Sequence, residues 1–322
     1  MPAPATHYTS GMPPYRKIVR KQADQEQALS EVIGFVLILG LIVIFITLWM
    51  TYVVPAEGRE TEIRHMNDVR DWFTQYKITL DSLWINNGDD TLTGITISNS
   101  LTLGSQGGAT QAGGFYIPLM KPIGSTGGLA VVNYGETISI KIGALPERVY
   151  PLWVLEFNAS NNYWVPQTYY YQMGGVFLRQ DRGTVTRVAP LIGLSGVESG
   201  SVRIQLIPVN ISGGGQTSFS GQGPVRIDTR LTSGGYEKQQ VNQNIWINLT
   251  LRNDETARAW ANSINETWFL GDITNCVGCT RQYTPGSKSF NISIPSQNPN
   301  VELILIHANY SVSLQSIATG VT

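Results

Sequence analysis

The hydrophobic pattern changes twice along the chain. From Val32 to Val54 there is no charged residue; Gly34, Gly40, Thr47 and Thr51 interrupt an otherwise apolar run, and Trp49 and Tyr52 lie near its far end. As a helix this run spans about 35 Å, enough for a bilayer hydrocarbon core of about 30 Å. Beyond Pro55 the residues Ile63, Met66, Phe73, Tyr76, Leu80 and Leu83 recur at spacings of mostly three and four, with Glu60, Glu62, Arg64, Asp68, Arg70 and Asp71 between them. That pattern predicts an amphipathic stalk helix from about Ala56 to about Tyr76 and a strand near Ile78 to Ile85. Pro55 is expected to kink or break the chain between membrane helix and stalk.

After the turn signal "NNGDD" at Asn86 to Asp90 the period becomes two, in runs such as "LTGITISNSLTL", "ETISIKI", "SVRIQLIPV", "NIWINLTLR" and "VELILIHANYSVSL". Runs of this kind between Gly- and Asn-rich loops predict antiparallel sheets packed as a sandwich. Asp254 to Glu266 is the exception and reads as a short helix capped by Asn253 or Asp254. The fold class expected is an N-terminal transmembrane and stalk α-helix followed by an all-β, antiparallel, sandwich-like extracellular region. The β region, 86–322, could divide into two sheets near 193–200.

Charge changes the picture by what it excludes. Lys and Arg number 22 against 23 Asp and Glu, so the chain lacks the basic excess that nucleic-acid binding requires. Charged residues are only 14% of the total, low against roughly 25% in soluble domains. Arg16, Lys17, Arg20 and Lys21 precede the apolar run, whereas mixed charge follows it. The positive-inside rule then keeps the N-terminal segment in the cytoplasm and places everything after Pro55 outside a single-pass membrane protein. A secretory signal ending at Ala56 is the alternative, although its apolar core would be about twice the usual 7 to 15 residues.

Asn-x-Ser/Thr sequons at Asn158, Asn210, Asn248, Asn265, Asn291 and Asn309 all follow the apolar run and are glycosylation candidates. Cys276 and Cys279 are the only cysteines. Without a second Cys pair, and with His7, His65 and His307 scattered, they read as a tight loop disulfide on an oxidising surface ahead of a zinc site or a redox CxxC. No nucleophile, phosphate-cradle or metal signature is present, so neither an enzyme nor a cofactor is expected. Asp89, Asp90, Asp181, Asp254 and Glu255 read as turn and cap residues. "NYWVPQTYYYQ", 162–172, concentrates aromatics; strand alternation puts half of them in the core, and exposed ones would suit a surface glycan.

"ALSEVIGFVLILGLIVIF" resembles the N-terminus of archaeal type IV pilin-like proteins through Ala28, Leu29, Ser30, Val32, Ile33 and Gly34. The resemblance implies a basic leader over 1–28, a prepilin peptidase cut between Ala28 and Leu29, and an assembly helix over 29–55, followed by the stalk segment 56–85. The family usually has Lys or Arg before the small residue; here it is Gln27. Filament assembly through this helix would set the new Leu29 amine against Glu31 at the apolar boundary, with Gly34 and Gly40 permitting close helix approach. Short of that chemistry, Ser30 and Glu31 also read as an N-cap and a first-turn acid. The function implied is a filament subunit or minor component in an adhesive or structural role, with self-association as the partner interaction. The alternative is an anchored outer domain that binds surface glycans or partners without polymerising.

Overall fold

The computed structural model describes residues 18–87, 91–105, 121–196, 202–270, 276–297 and 301–317. The chain forms two units, 1–55 and 56–322. In the first, helix α1 (Ile18–Leu48) passes into a π-helical turn, Trp49–Val53, closed by the Val54 N–H donating to the Trp49 carbonyl. Pro55 has no N–H and its ring crowds the carbonyl four residues back, and the widened turn accommodates both. Helix α2 (Val54–Ile85) follows directly, so the backbone stays helical from Ser30 to Ile85 and the break expected at Pro55 is absent. The strand expected near Ile78 to Ile85 is also corrected: Leu80 and Leu83 continue the helical stripe of Met66, Val69, Phe73 and Tyr76, all buried.

In the second unit the chain first forms β1 (Thr96–Thr102), β2 (Thr126–Val132), β3 (Thr137–Ile142), β4 (Arg148–Pro151), β5 (Val154–Ser160) and β6 (Gln167–Gln172). Next come β7 (Gly175–Gln180), β8 (Gly183–Val188), β9 (Ile192–Gly196), β10 (Val202–Leu206), β11 (Val209–Gly213) and β12 (Ser218–Gly221). The long β13 (Pro224–Val241), β14 (Ile245–Thr250), helix α3 (Asp254–Leu270), β15 (Thr280–Tyr283), β16 (Ser289–Ile294) and the long β17 (Val301–Ser316) complete it. As expected, Asn253 caps α3: its Oδ1 accepts from the Thr256 N–H at 2.9 Å.

Three mostly antiparallel sheets result. Sheet A has the order β1-β13-β17-β10-β9 with β11 also on β17, sheet B the order β12-β2-β5-β6-β7-β8, and sheet C the order β15-β16-β14-β3-β4. Two pairings depart from the antiparallel expectation. β10 and β11 both run parallel to β17 in one constant register, Arg203 opposite Glu302 and Val209 opposite Ala308. Ile207 and Pro208 interrupt an otherwise single strand, because proline cannot donate to the ladder.

Two hydrophobic cores share this framework. One lies under sheet C and α3, around Trp260, Ile247, Phe290, Tyr170 and Leu303. The other joins α2 to sheets A and B, around Phe73, Tyr76, Phe157, Tyr171 and Tyr310. Buried positions along β17 change parity, from Val301, Leu303 and Leu305 in the first core to Ala308, Tyr310 and Val312 in the second. The ribbon therefore turns opposite faces to the two cores, and on β13 a bulge between Leu231 and Ser233 makes the matching switch. The two cores are interleaved in sequence, since β2 and β3 already belong to different ones. A division of the chain near 193–200 is thus not how the cores separate; 197–201 itself lies outside the described residues.

Sheet B is covered on both faces. Tyr169 and Tyr171 enter the second core and Tyr170 the first, so all three are buried where alternation predicted half. The β6–β7 hairpin turns on Met173 (φ 46°) and Gly174 (φ 73°), the paired positive values that match strand twist. Burial pushes the Tyr170 phenol up to about 12 and raises Tyr76, Tyr171 and Tyr310 as well. Unfolding frees these phenols to ionise near pH 10, so their stabilisation is complete below pH 10 and is lost as the pH climbs through the folded values. Thermal melts of the 56–322 unit in the intact protein are expected to shift steadily downward above about pH 10. A melting temperature flat from there to about pH 12, with tyrosinate absorbance already developed, would contradict the burial.

Candidate functional site

The apolar run is the chain's most distinctive surface. No part of its most apolar window is buried within the chain, and Phe35, Leu37 and Leu41 are each about two-thirds exposed. The helix is long and apolar enough to cross a membrane. Its hydroxyls are satisfied internally: Thr47 Oγ1 donates to the Val43 carbonyl at 2.7 Å and Thr51 Oγ1 to the Thr47 carbonyl at 2.8 Å. This is how a polar side chain is tolerated in lipid, where no water offers a partner. Among the described residues, nothing beyond the helix's own neighbouring backbone lies within 4 Å of where a Cβ at Gly34 or Gly40 would stand. Glu31 stands exposed at the start of the run. Ala28 and Leu29 lie on the α1 backbone.

Where α2 enters the second unit, a loop of the β region is clamped onto it. The buried Glu62 carboxylate accepts three consecutive backbone N–H groups: Asn162 at 2.6 Å, Tyr163 at 2.8 Å and Trp164 at 2.7 Å. A carboxylate held by several backbone donors is a strong, directional anchor. Gly58 lies flat against the Tyr163 ring, where a Cβ would come within 2.4 Å of it, and the Arg59 guanidinium sits 4.4 Å over the Trp164 ring. His65 Nε2 is 3.0 Å from the Thr102 carbonyl. Glu62 occupied an ordinary polar slot of the helical pattern, and nothing local in the sequence marks it as buried.

A second polar cluster lies where sheets B and C meet α3. Arg252 sits between the Tyr134 and Tyr170 rings, 4.3 and 4.9 Å from their centroids, with Glu136 and Glu156 each 3.5 Å from its nitrogens. Its backbone N–H also donates to Glu136 Oε1 at 2.8 Å. Tyr134 donates to Glu156 at 2.6 Å, while Gln172 donates to Glu136 at 2.5 Å and accepts from Trp260 Nε1 at 3.1 Å. Burial works against the Arg252 charge, but Glu136, Tyr170 and Glu156 outweigh it and its pKa is raised. Every member holds another in place, which is the chemistry of a structural junction. Sequence reasoning missed it because its members are spread over more than a hundred residues.

The sequons fall on regular elements: Asn158 on β5, Asn210 on β11, Asn248 on β14, Asn265 in α3, Asn291 on β16 and Asn309 on β17. Asn210 stands opposite Asn309 and Asn248 opposite Asn291 across neighbouring strands. Cys276 and Cys279 are paired as a disulfide, with Cα atoms 5.5 Å apart. Asp254 does not cap α3; it accepts from the Tyr283 hydroxyl and the Gly286 N–H beyond the helix, and these bonds lower its pKa. Gly88, Asp89 and Asp90 of the predicted turn lie outside the described residues. Among the described residues no group of three or more His, Cys, Asp or Glu is placed to hold a metal ion. Comparison with protein families, curated proteins and solved structures gives no match.

Proposed function

We propose that this chain is a pilin-like cell-surface protein, held in the membrane by its N-terminal helix with the β region outside, and able to join a type IV pilus-like filament. The observation that carries the reading is the division of labour along one helical stretch. Its first part offers apolar side chains that none of the described residues covers, and its second part is built into a β-rich core. Glu31 and the unfilled glycines Gly34 and Gly40 fit a helix that packs against copies of itself. On this reading the partners are the membrane, other subunits and a prepilin peptidase, with adhesion or a structural role in place of catalysis. Neither nucleic acid nor a cofactor has a part in it.

Gln27 favours the second reading, an anchored outer domain that keeps its leader and binds surface glycans or partners without assembling. The N-terminus of the protein isolated from its native membrane separates the two. Intact mass and terminal sequencing are expected to show a start at Leu29, followed by filaments on imaging. A chain that retains the residues before Leu29 would remove the filament reading and leave the anchored one.

A further inference from the structure

We infer that the outer face of sheet C carries an N-linked glycan at Asn291, its first sugars lying over the Trp246 ring. This goes beyond the reading above and rests on one part of it, the placement of the β region outside the membrane.

Sheet C has one face in the core and one outside. Ile245, Ile247 and Leu249 on β14 enter the first core, as do Phe290, Ile292 and Ile294 on β16. Period two then turns Trp246, Asn248, Asn291 and Ser293 outward together. Two of the six sequons therefore stand side by side, Asn248 opposite Asn291. The other four are held down on the protein. Asn158 Nδ2 donates to Glu156 Oε1 at 3.3 Å, Asn210 Nδ2 to Asn309 Oδ1 at 3.4 Å and Asn309 Nδ2 to Ser233 Oγ at 2.9 Å, while Asn265 Oδ1 is buried. Among the described residues the Asn248 and Asn291 amides have no hydrogen-bond partner, and Asn291 is the more exposed of the two. A free, exposed amide takes a substituent without breaking any bond of the fold.

Ser293 supplies the hydroxyl that the acceptor sequence requires two residues on, from the same face as Asn291. The donor is a lipid-phosphate-linked oligosaccharide at the outer membrane surface. A bond forms between Asn291 Nδ2 and C1 of the first sugar, and the bond from C1 to the lipid phosphate oxygen breaks. The amide loses one proton, the lipid phosphate leaves, and nothing is oxidised or reduced. The product gives Trp246 a role. It is only partly buried on the otherwise polar outer sides of β14 and β16, between Ser293 and Lys141, whose Nζ is 6.0 Å from the ring centroid. Trp246 and Asn291 are diagonal neighbours, about 7–8 Å apart, a span that an asparagine side chain and one pyranose ring cover. The C–H face of a sugar suits a half-exposed indole, apolar in its body and wet at its rim. The glycan also lies across Asn248, which leaves that sequon empty, and it keeps this face away from any second copy.

The test uses the full chain in its native cells. A membrane-impermeant amine reagent on intact cells first reports whether the exposed Lys288 faces outside. Unlabelled protein is then cut with trypsin and a glutamate-specific protease, so that 289–302 holds Asn291, 303–322 holds Asn309 and 239–252 holds Asn248. Mass spectrometry is expected to find sugar on 289–302 in most molecules and none on 239–252. Asn291→Gln is expected to melt roughly 2 °C below the glycosylated protein, and no lower than its parent when both carry Trp246→Ser. A bare 289–302 with Lys288 labelled would overturn the glycan and leave the anchored reading intact. Lys288 unlabelled on intact cells and labelled only after lysis would overturn both. Sugar on 239–252, or an equal melting loss with and without Trp246, would overturn the placement over the ring.

Discussion

Arg252→Met is expected to lower the unfolding free energy of the β region by about 3–5 kcal/mol, because it takes the counter-charge from the buried Glu136 carboxylate and leaves Glu156 only the more distant Arg179, 3.9 Å away. Their side chains are 0% and 6% exposed, so water cannot replace the guanidinium. A loss of that size is a large part of the 5–15 kcal/mol that holds a domain together, roughly. Urea unfolding monitored by tryptophan fluorescence would read it as a lower midpoint at nearly unchanged slope. The triple variant Arg252→Met, Glu136→Gln, Glu156→Gln is expected to recover much of the loss, since neutral groups of the same shape need no counter-charge. A single-variant loss below about 1 kcal/mol would mean the cluster is hydrated and unimportant.

The second large effect concerns the apolar helix. Its Leu, Ile, Phe and Val side chains supply an insertion free energy of roughly 5–10 kcal/mol, an upper figure because edge positions count less. Arginine at the helix centre costs about 2.5–3.5 kcal/mol, so Leu41→Arg with Ile44→Arg removes about 6–8 kcal/mol, counting the lost aliphatic residues. The double variant is expected to leave the carbonate-resistant membrane fraction, while either single variant remains largely integral. If the double variant stays integral with its β region still protected from protease on the same side, the run is not what holds the protein.

Leu41 and Ile44 could be chosen from the sequence alone; Arg252 could not. An uninterrupted apolar run, a stripe at spacings of three and four, and strands of period two each depend on neighbours within a few residues, which is the range over which sequence carries a direct signal. The same locality narrowed the α3 cap to Asn253 or Asp254, and made two lone cysteines three apart legible as a pair. It also explains the errors. Residues 78–85 carry β-favouring Ile, Thr and Trp, yet the core stripe and the Tyr310 hydroxyl on the Leu80 carbonyl, 2.8 Å away, hold them helical. At Pro55 the sequence predicted a kink or a break; the backbone stays helical there, through a π-turn, so the break is what fails.

Sequence by itself thus determined most of the element types and the membrane-length helix. Only the tertiary structure decided which face each strand buries and which polar residues meet. It interleaved two cores along shared strands, ran β10 and β11 parallel to β17, buried Tyr169, Tyr170 and Tyr171 together, and turned Glu62 from a surface acid into an anchor. The physical reason is separation along the chain. Glu62 meets its loop across a hundred residues and Tyr310 meets Leu80 across 230, and contacts at that distance are set by how whole sheets pack, which no local period encodes.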